Sequence, residues 1–504
     1  MAVQTFPVPS PAFYGLAKQY SQSPLGPEWA VKLENIVIDD AGRLSARKGW
    51  NPTNGSVFGS GAAVVQLHEY VNAAGTSQII SATATGLFTG LSSPSSIVGA
   101  LTPTAGHWDF VNFNGNCLGW QASHAPIVYT GSGNFAAISV ASGTLPDGNA
   151  ACAAFGRVWA VDDDKQTIRY CALLDHTLWA AVDGGGSIDM RNVWTAGMDE
   201  VMAITSFGSA LVVFGKRHIV FWVDGAGSSI GLNPTNMYIN QIIENVGLVA
   251  RDAFTLVGEI DIAFWSPNGV RSLVRTAQEQ ATPVNELSPS NRDYLTGALG
   301  TGSLTKVRMA YSGSHGFVLL SHPDYCKTFC FDTKSRLPDG GFRMTQWSIA
   351  PNSLLGALDR KLYFGFLGEI GEYVGYDDDN VSYRFEYESG WIKISGDEGR
   401  IQALKALKAF VYSVGQYTVT FKWWTDFQSN PQSLALAVGG TNTNEWNVME
   451  WNIGEWGSVQ AFENVRIPLD SEAEYLKIAV IVTINGGAFG LQPFTVYSKP
   501  TRLA

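Results

Sequence analysis

The sequence predicts an all-β protein, and three observations support this prediction. Short runs of valine, isoleucine and aromatic residues recur along the chain, for example at Val64–Tyr70, Leu211–Phe214 and Ile262–Trp265, with glycine, asparagine, aspartate and serine between them. Such runs favour strands that are bounded by turns. Before residue 400, almost no segment carries the sustained 3.6-residue apolar period of an amphipathic helix. The third observation is a loose repeat.

Seven hairpin-like units make up this repeat, and their ends lie about 41 to 57 residues apart, in the range of one blade of a β-propeller. Each unit has a strand, a polar or glycine turn and a second strand with aromatic residues. The units end at Gly90, Gly131, Ala172, Gly225, Thr276, Thr333 and Asp377. Closing such units into a ring removes exposed sheet edges. We therefore expect a propeller of six or seven blades, with two stacked β-sandwiches as the alternative.

Two regions lie outside the repeat. Residues 1–54 open with a segment rich in proline, serine and glycine, and we expect an extended N-terminal arm followed by a first strand and turn. We expect residues 55–381 to form the propeller, and 382–504 carry longer alternating strands that predict a C-terminal β-sandwich-like domain. Within that domain, 400–411 has two interpretations, because its apolar residues recur every three positions, as in a helix, whereas its surroundings favour a strand.

The composition excludes several classes of protein. The 54 glycines exclude a coiled coil, and the hydrophobic content of 45%, with only 15% charged residues, excludes an intrinsically disordered chain. The formal net charge of −11 argues against a protein that grips nucleic acid through a basic surface. Five cysteines indicate no disulfide framework, so we expect folding in a reducing cytoplasm. We expect neither a secretory signal nor a membrane-spanning segment.

The motifs of known catalytic sites fail on their spacing or context. His68 lacks the second histidine that a zinc-protease helix requires four residues later. The G-x-S-x-G segment Gly227–Gly231 leads into a turn, whereas a nucleophile elbow requires a helix there. No phosphate loop or dinucleotide fingerprint is present in the sequence. We therefore predict a protein that is not an enzyme and that has no cofactor.

Potential metal ligands are also poorly spaced. His322, Cys326 and Cys330 would lie too far apart along one strand to share a metal ion. The aspartate triplets at 162–164 and 377–379 have no distal glutamate of the kind that completes a calcium loop. Both triplets are interpreted as solvated turns, so no metal site is predicted.

The N-terminal segment carries a distinctive succession of residues: Gln19–Pro24, then Leu33–Asn35, then Asp40–Trp50. It resembles the opening of the tail nozzle proteins of short-tailed bacteriophages, a family that includes tail tubular protein B and packaged-DNA stabilisation proteins. The family pattern is a serine-rich arm, an asparagine in the first strand and a Gly-Leu-x-x-Arg-x-Gly turn. Gly42, Leu44, Arg47 and Gly49 match that turn, with Arg43 as one extra residue.

Further segments are similar to the propeller and terminal domain of the same family. They are Phe155–Ala160, Ile168–Cys171, Ile204–Phe214, Asn245–Val249, Ile262–Val270 and Val465–Leu469. The resemblance implies a virion protein of the phage tail, made in the host cytoplasm, whose six copies form a homo-hexameric ring below the portal and its adaptor. It implies that this ring retains packaged double-stranded DNA, conducts it during ejection without sequence-specific binding, and adjoins a tail fibre or tailspike.

Candidate contacts with neighbouring subunits or the adaptor are Tyr20, Ser21, Gln22, Arg43, Arg47 and Lys48. The first three lie in the arm, which is expected to depend on a partner for its structure. The three basic residues are candidates for pairing with an acidic surface of a neighbour. A solvated turn is the other explanation, and for Arg47 a tight turn between glycines. The sequence identifies no residue of a DNA-channel gate.

The alternative function is a carbohydrate-binding or carbohydrate-degrading propeller associated with a tail. The 16 tryptophans favour it, because aromatic faces stack on sugars. Exposure would be most informative at Trp423, Trp424, Trp446, Trp451 and Trp456. A general propeller scaffold for host proteins is a third hypothesis. Oligomeric state separates the first function, a six-fold ring, from the other two, a monomer or trimer.

Overall fold

The computed structural model describes residues 3–19, 21, 25–39, 42–84, 86–104, 106–195, 197–225, 233–258, 260–279, 286–394, 400–439 and 461–503. Over these ranges the chain is built mainly of β-strands, and its α-helices are α1 (Leu273–Glu279) and α2 (Arg292–Leu299). Single 3-10 turns lie at Gly59–Gly61, Ala181–Asp183, Pro234–Asn236, Pro289–Asn291, Leu304–Lys306 and Pro323–Tyr325.

Six strands precede the propeller body: β1 (Gln4–Val8), β2 (Gly15–Leu16), β3 (Trp29–Glu34), β4 (Ile36–Ile38), β5 (Leu44–Ala46) and β6 (Asn51–Pro52). The first blade has β7 (Gln66–Val71), β8 (Ser77–Ala82), β9 (Leu87–Thr89) and β10 (Ser95–Ser96), and the second has β11 (Asp109–Phe113), β12 (Asn116–Gln121), β13 (His124–Tyr129) and β14 (Ala136–Ala137). The third has β15 (Ala151–Ala154), β16 (Arg157–Val161), β17 (Thr167–Tyr170) and β18 (Gly186–Asp189). The fourth has β19 (Val201–Phe207), β20 (Ala210–Gly215), β21 (His218–Asp224) and β22 (Met237–Glu244).

The fifth blade has three strands: β23 (Phe254–Val257), β24 (Asp261–Ser266) and β25 (Gly269–Ser272). The sixth has β26 (Arg308–Ser312), β27 (Phe317–His322), β28 (Lys327–Arg336) and β29 (Phe342–Trp347). The seventh has β30 (Ser353–Gly356), β31 (Leu362–Gly365) and β32 (Ile370–Glu372), with β6 as its fourth strand. The predicted propeller is therefore confirmed, with seven blades among the described residues. Each predicted hairpin is the central pair of strands of a four-stranded blade, except in the fifth blade, where it is the second and third of three strands.

Separate apolar clusters fill the space between consecutive blades. Trp108 packs between the first two blades, Trp120 between the second and third, and Trp159 between the third and fourth. Trp347 lies between the sixth and seventh blades, and Tyr363 between the seventh and the first. These rings are all almost fully buried. Large, flat apolar side chains supply the area that a blade needs to bury both faces, which explains much of the aromatic content of the chain.

The N-terminal segment closes the ring of blades. Strand β6 pairs antiparallel with β32, so the first and last parts of the propeller share one sheet. Proline is tolerated at position 52 because β6 is an edge strand. Gly49, just before β6, leaves no room for a side chain, since a Cβ atom there would lie 1.6 Å from the backbone oxygen of Asp377.

The C-terminal strands are β33 (Tyr383–Ser389), β34 (Ile392–Lys393), β35 (Arg400–Ser413), β36 (Tyr417–Thr425), β37 (Gln432–Val438), β38 (Ala461–Ala473), β39 (Tyr475–Ile484) and β40 (Phe489–Leu503). One sheet runs β38-β35-β40-β5-β4, with β1 also paired to β40. The facing strands run β3-β33-β39-β36-β37. Together they form a sandwich to which four strands of residues 1–54 contribute.

The ambiguous segment 400–411 lies in strand β35. A β-bulge interrupts its register between Leu404 and Ala406, and the buried side chains shift phase there. Leu404 and Leu407 are consequently both buried at a spacing of three, which imitates a helical period. Phe410, the next residue in the apparent helical series, lies on the exposed face of the strand.

Candidate functional site at the junction of propeller and sandwich

Strand β3 joins the propeller to the sandwich. It pairs in parallel with β29, the last strand of the sixth blade, through Glu34 and Gln346, and antiparallel with β33 of the sandwich. The sheet of the sixth blade therefore continues into the sandwich. Because β-ladder hydrogen bonds cross from one to the other, the N-terminal residues bridge both bodies.

Arg47 lies at the centre of this junction, and its side chain is 0% exposed. Its Nη1 and Nη2 atoms donate to the two carboxylate oxygens of Asp378 at 2.8 and 2.6 Å, and its Nε donates to Asn35 Oδ1 at 2.9 Å. The guanidinium also stacks 4.1 Å from the ring centre of Tyr383. A bidentate, stacked arginine is among the strongest and most directional polar contacts that proteins form.

Asn35 extends this network to both bodies. Its Nδ2 donates to Arg384 O in β33 at 2.7 Å, and its Oδ1 accepts from the Ser348 backbone N, just after β29, at 2.9 Å. The residue adopts a left-handed conformation with φ of 57°, which asparagine tolerates better than most residues. We call the network of Asn35, Arg47, Asp378 and Tyr383 the junction lock.

The candidate contact residues have different environments. Arg47 belongs to the junction lock, so it stabilises this chain in place of the contact with a neighbour that the sequence suggested. Arg43 is partly exposed and pairs with Asp39, with 2.6 Å between its Nε and Asp39 Oδ2. Lys48 is half-buried, and Ser21 is exposed. Tyr20 and Gln22 lie outside the described residues.

A cleft of about 280 Å³, the junction cleft, lies beside the lock. Its lining comes from the β4–β5 hairpin, the sixth and seventh blades and the sandwich. Its lining includes Asp39, Arg43, Lys48, His315, Phe317, Cys330, Asp332, Lys334, Arg343, Tyr373 and Tyr376. Arg43 and Lys48 therefore meet in one cavity with basic side chains that are almost 300 residues away in the sequence.

His315 forms part of the wall of this cleft. Its Nδ1 lies 2.8 Å from Ser312 Oγ, and its ring stacks on Phe317 at 5.4 Å. Burial, assisted by the positive charges of Lys48 and Lys334, lowers the pKa of His315 to about 4. The imidazole is therefore neutral at physiological pH.

This depressed pKa predicts a pH-dependent stability. Between about pH 4 and the ordinary histidine pKa of about 6.5, the unfolded chain binds a proton at His315 that the folded chain does not. Acidification through that window should therefore lower the free energy of unfolding. In His315→Asn, urea unfolding at neutral pH and near pH 5 should show a smaller acid-induced loss than in the wild type. An equal loss in both proteins would contradict the assignment.

A second polar cluster closes the axis of the propeller. A cavity of about 190 Å³ on this axis is lined by at least one residue from the inner strand of every blade: Gln66, Asp109, Ala151, Ala203, Phe254, Arg308 and Leu354. Arg251 and Asp252 also line it, and they lie just before the inner strand β23. We call Arg251, Asp252, Arg308, Asp109 and His107 the axial cluster.

Hydrogen bonds tie the axial cluster to three different blades. Arg251 donates to Asn149 O at 2.7 Å, to Trp108 O at 3.0 Å and to both oxygens of Asp252 at 2.8 and 2.9 Å. Arg308 Nη1 lies 3.0 Å from Asp252 Oδ2, and Arg308 also contacts His107. The cluster therefore links inner strands on opposite sides of the ring.

Burial and charge set the protonation of this cluster. Burial raises the pKa of Asp109 to about 6 and, together with Arg308, lowers the pKa of His107 to about 4. Burial opposes the ionised form of Asp252, but Arg251 and Arg308 outweigh it and lower the pKa of that carboxyl. This cluster was not predicted from the sequence. The signal that could have indicated it is the placement of charged residues at or just before the inner strands of different repeats.

Among the described residues, no group of three or more His, Cys, Asp or Glu side chains is placed to hold a metal ion. His322 and Cys330 lie on adjacent strands of a hairpin, and Cys326 occupies its left-handed turn, so the three do not lie along one strand. One aspartate of the 377–379 triplet, Asp378, is a partner in the junction lock and not a solvated turn residue. Gly227–Gly231 lies outside the described residues.

The tryptophans proposed for sugar contact divide into three groups. Trp423 is buried in the sandwich. Trp424 is half-buried, and its Nε1 donates to Ser429 O at 3.3 Å. Trp446, Trp451 and Trp456 lie outside the described residues.

No helix in the described part of the chain is long and apolar enough to cross a bilayer.

No protein-family model and no curated protein matches the sequence. Similar solved structures include the extracellular domain of a B. thetaiotaomicron protein described as a one-component system, at 11% identity and a TM-score of 0.42, covering 71% of this chain and 43% of that one. The chain thus spans less than half of that domain. Others are YCF48 bound to D1 peptide (12% identity, TM-score 0.39, covering 65% and 99%) and the C-terminal WD40 domain of Sif2 (12% identity, TM-score 0.35, covering 71% and 97%). The propeller assignment rests on the strand topology itself.

Proposed function

We propose that the chain is a non-enzymatic structural subunit of the tail nozzle of a short-tailed bacteriophage. The observation that carries the proposal is the position of Asn35 and Arg47. These residues carry the resemblance to the nozzle family, and they are also the residues that fasten the propeller to the sandwich through the junction lock. The residues that match the family pattern are therefore also residues that hold the propeller and the sandwich together.

A ring that retains packaged DNA must transmit force between its domains. Here the two bodies share the sheet that runs through β29, β3 and β33, so relative movement would break ladder hydrogen bonds. It would also break the hydrogen bonds of Asn35, the Arg47 partner, to Ser348 after β29 and to Arg384 in β33. Both features support a rigid structural subunit over a pair of domains on a flexible linker.

The axial cluster indicates where DNA would pass in such an assembly. The cavity on the propeller axis holds only about 190 Å³, and Arg251 and Arg308 lie across it. A DNA duplex is far too wide for this space. In the proposed ring, the channel therefore lies between subunits, around a six-fold axis. The net charge of −11 is compatible with a DNA channel. Each basic side chain in contact with a phosphate would bind the DNA and slow its passage, and an acidic chain offers few such contacts.

The proposal is tested by locating the protein on intact particles of its source. Antibody raised against the chain should label the distal tail in electron micrographs. Purified chain mixed with the portal–adaptor complex should form a six-fold ring, with a tail fibre or tailspike at its side. Labelling of the capsid, or particles that lack the protein altogether, would contradict the proposal.

A second candidate, carbohydrate binding, is favoured by an aromatic platform on the sandwich. Phe427 is half exposed and packs 4.6 Å from Trp391 and 5.1 Å from Tyr475, measured between ring centres. Lys477 lies over the rings of Trp391 and Trp424, and its Nζ is paired with Glu388. The exposed face of Phe427 is therefore the part of this platform that is open to stacking on a sugar ring.

A glycan array distinguishes this candidate from the first. Sugar binding that is lost in Phe427→Ala but retained in Phe410→Ala, an equally apolar change at another exposed site of the sandwich, would support it. If the wild-type chain binds no glycan on the array, carbohydrate binding is excluded as its function.

A further inference from the structure

The cavity of about 190 Å³ on the propeller axis, which we call the axial cavity, is lined by a polar side chain that has no partner. This side chain belongs to Gln66, the first residue of β7. Its Oε1 atom is buried and accepts no hydrogen bond from any described residue. Because a buried carbonyl oxygen without a donor is unfavourable, the axial cavity suits a group that donates hydrogen bonds.

A carboxylate lies on the neighbouring inner strand. Asp109 is the first residue of β11, which contacts β7, and it also lines the axial cavity. Its Oδ2 accepts from the Ala151 backbone N at 2.8 Å. Arg251 and Arg308 act on this carboxylate electrostatically, but neither forms an ion pair with it. Asp109 therefore retains acceptor capacity toward the cavity.

The donors in the cavity wall are already used. Every guanidinium nitrogen of Arg251 and of Arg308 donates to an acceptor of this chain, so neither side chain is available to bind an anion. The acceptors are the Asp252 carboxylate, the His107 ring and the backbone oxygens of Val65, His107, Trp108, Asn149, Thr305 and Val307. Asp252 pairs with both arginines, which reduces their repulsion of a cation in the cavity.

We propose that the axial cavity binds a small ammonium group, either ammonium itself or a short primary alkylammonium, through Gln66 Oε1 and the Asp109 carboxylate. The N–H groups of such a ligand supply the donor that Gln66 lacks and a charge-assisted hydrogen bond to Asp109. The volume of about 190 Å³ is several times the roughly 30 Å³ that a water molecule occupies in the liquid. Phe254 and Leu354 provide apolar walls for a methyl group. The site lies within one chain, so binding does not depend on ring formation.

Isothermal titration of the full chain with methylammonium, potassium and tetramethylammonium chlorides, at one ionic strength, tests the proposal. Methylammonium should give saturable heat. Potassium and tetramethylammonium carry the same charge but have no N–H group, so neither should bind. Equal binding of potassium would mean that hydrogen-bond donation is not what the cavity recognises, and no heat with methylammonium would mean that there is no site. Either result overturns the proposal.

Variants assign the binding to the axial cavity. Asp109→Asn and Gln66→Met should each weaken methylammonium binding about tenfold or more, as expected for loss of one of the two contacts. Asp147→Asn is the matched control, because Asp147 also accepts from a backbone N–H, that of Asp163 at 3.1 Å, but is exposed and does not line the cavity. An equal loss in the control would overturn the proposal. Urea unfolding checks that each variant is folded, and two independent cavity residues keep the test valid if one variant is not.

The pH dependence of binding provides a second readout. Burial raises the pKa of Asp109 to about 6, and only the ionised carboxylate attracts a cation, so binding should weaken as the pH falls from 7 to 5. The charged and titratable groups that interact with Asp109 are Arg251, Asp252, Arg308 and Cys152. Burial raises the pKa of Cys152 to about 12, and burial with Arg308 lowers that of nearby His107 to about 4, so neither titrates in this range. Asp109→Asn should abolish the pH dependence, and wild-type binding that does not change with pH would overturn the role of Asp109.

Discussion

Replacing Arg47 by methionine is expected to lower the free energy of unfolding by about 3–5 kcal/mol, the range for breaking a buried ion pair. The change would leave Asp378 without its cationic partner and would remove the hydrogen bond to Asn35 Oδ1. Because the lock joins the propeller to the sandwich, both should lose stability together. Urea unfolding, followed by tryptophan fluorescence and by circular dichroism, measures this loss.

Arg43→Met is the control for that experiment. Arg43 lies in the same hairpin region and also pairs with an aspartate, but its side chain is 32% exposed. Exposed pairs contribute only about 0–1 kcal/mol. The double variant Arg47→Met/Asp378→Asn should regain part of the stability that Arg47→Met loses, since no unpaired charge remains. Equal losses for Arg47→Met and Arg43→Met would show that the junction lock does not hold the two bodies together.

Arg251→Met should destabilise the propeller by about 3 kcal/mol, at the lower end of the range for a broken buried pair. Two carbonyl oxygens, those of Asn149 and Trp108, would lose their donor. The loss is moderated because Arg308 still lies 3.0 Å from Asp252. Urea unfolding measures the free energy, and hydrogen exchange of the inner strands should rise on several blades at once.

Arg191→Met provides the comparison for the axial cluster. Arg191 also bonds to an aspartate, Asp164, but lies on the surface with its side chain 49% exposed. Its removal should change the free energy of unfolding by less than about 1 kcal/mol. If Arg251→Met were as mild as this, the axial cluster would be only a lining of the cavity and not a link between blades.

Local patterns were sufficient to predict the propeller. The hairpins that define the repeat, such as Arg157–Val161 with Thr167–Tyr170, are formed by residues close in sequence. Their β-branched and aromatic residues and their turn residues act over short distances, so the strands and their spacing can be read directly. The fourth strand of the last blade could not be predicted in this way, because this strand, β6, precedes the first blade in the sequence.

The segment at 400–411 shows how tertiary pairing resolves a local ambiguity. Its apolar spacing agrees with a helix, yet it is an interior strand of a sheet, between β38 and β40. The bulge between Leu404 and Ala406, which produces the spacing of three, is formed in the pairing of β35 with both β38 and β40. Periodicity alone carries no information about a bulge, since the bulge is a property of the pairing.

By itself, the sequence determined the fold class, the blade repeat and the motif that contains Asn35, Gly42, Arg47 and Gly49. Only the tertiary structure decided what these residues do. Arg47 meets Asp378 across 331 positions of the chain, and Lys48 and Lys334 line one cleft although they are far apart in the sequence. The physical reason is that charge pairing and desolvation depend on distance in space and on burial, and neither is encoded in the spacing of residues along the chain.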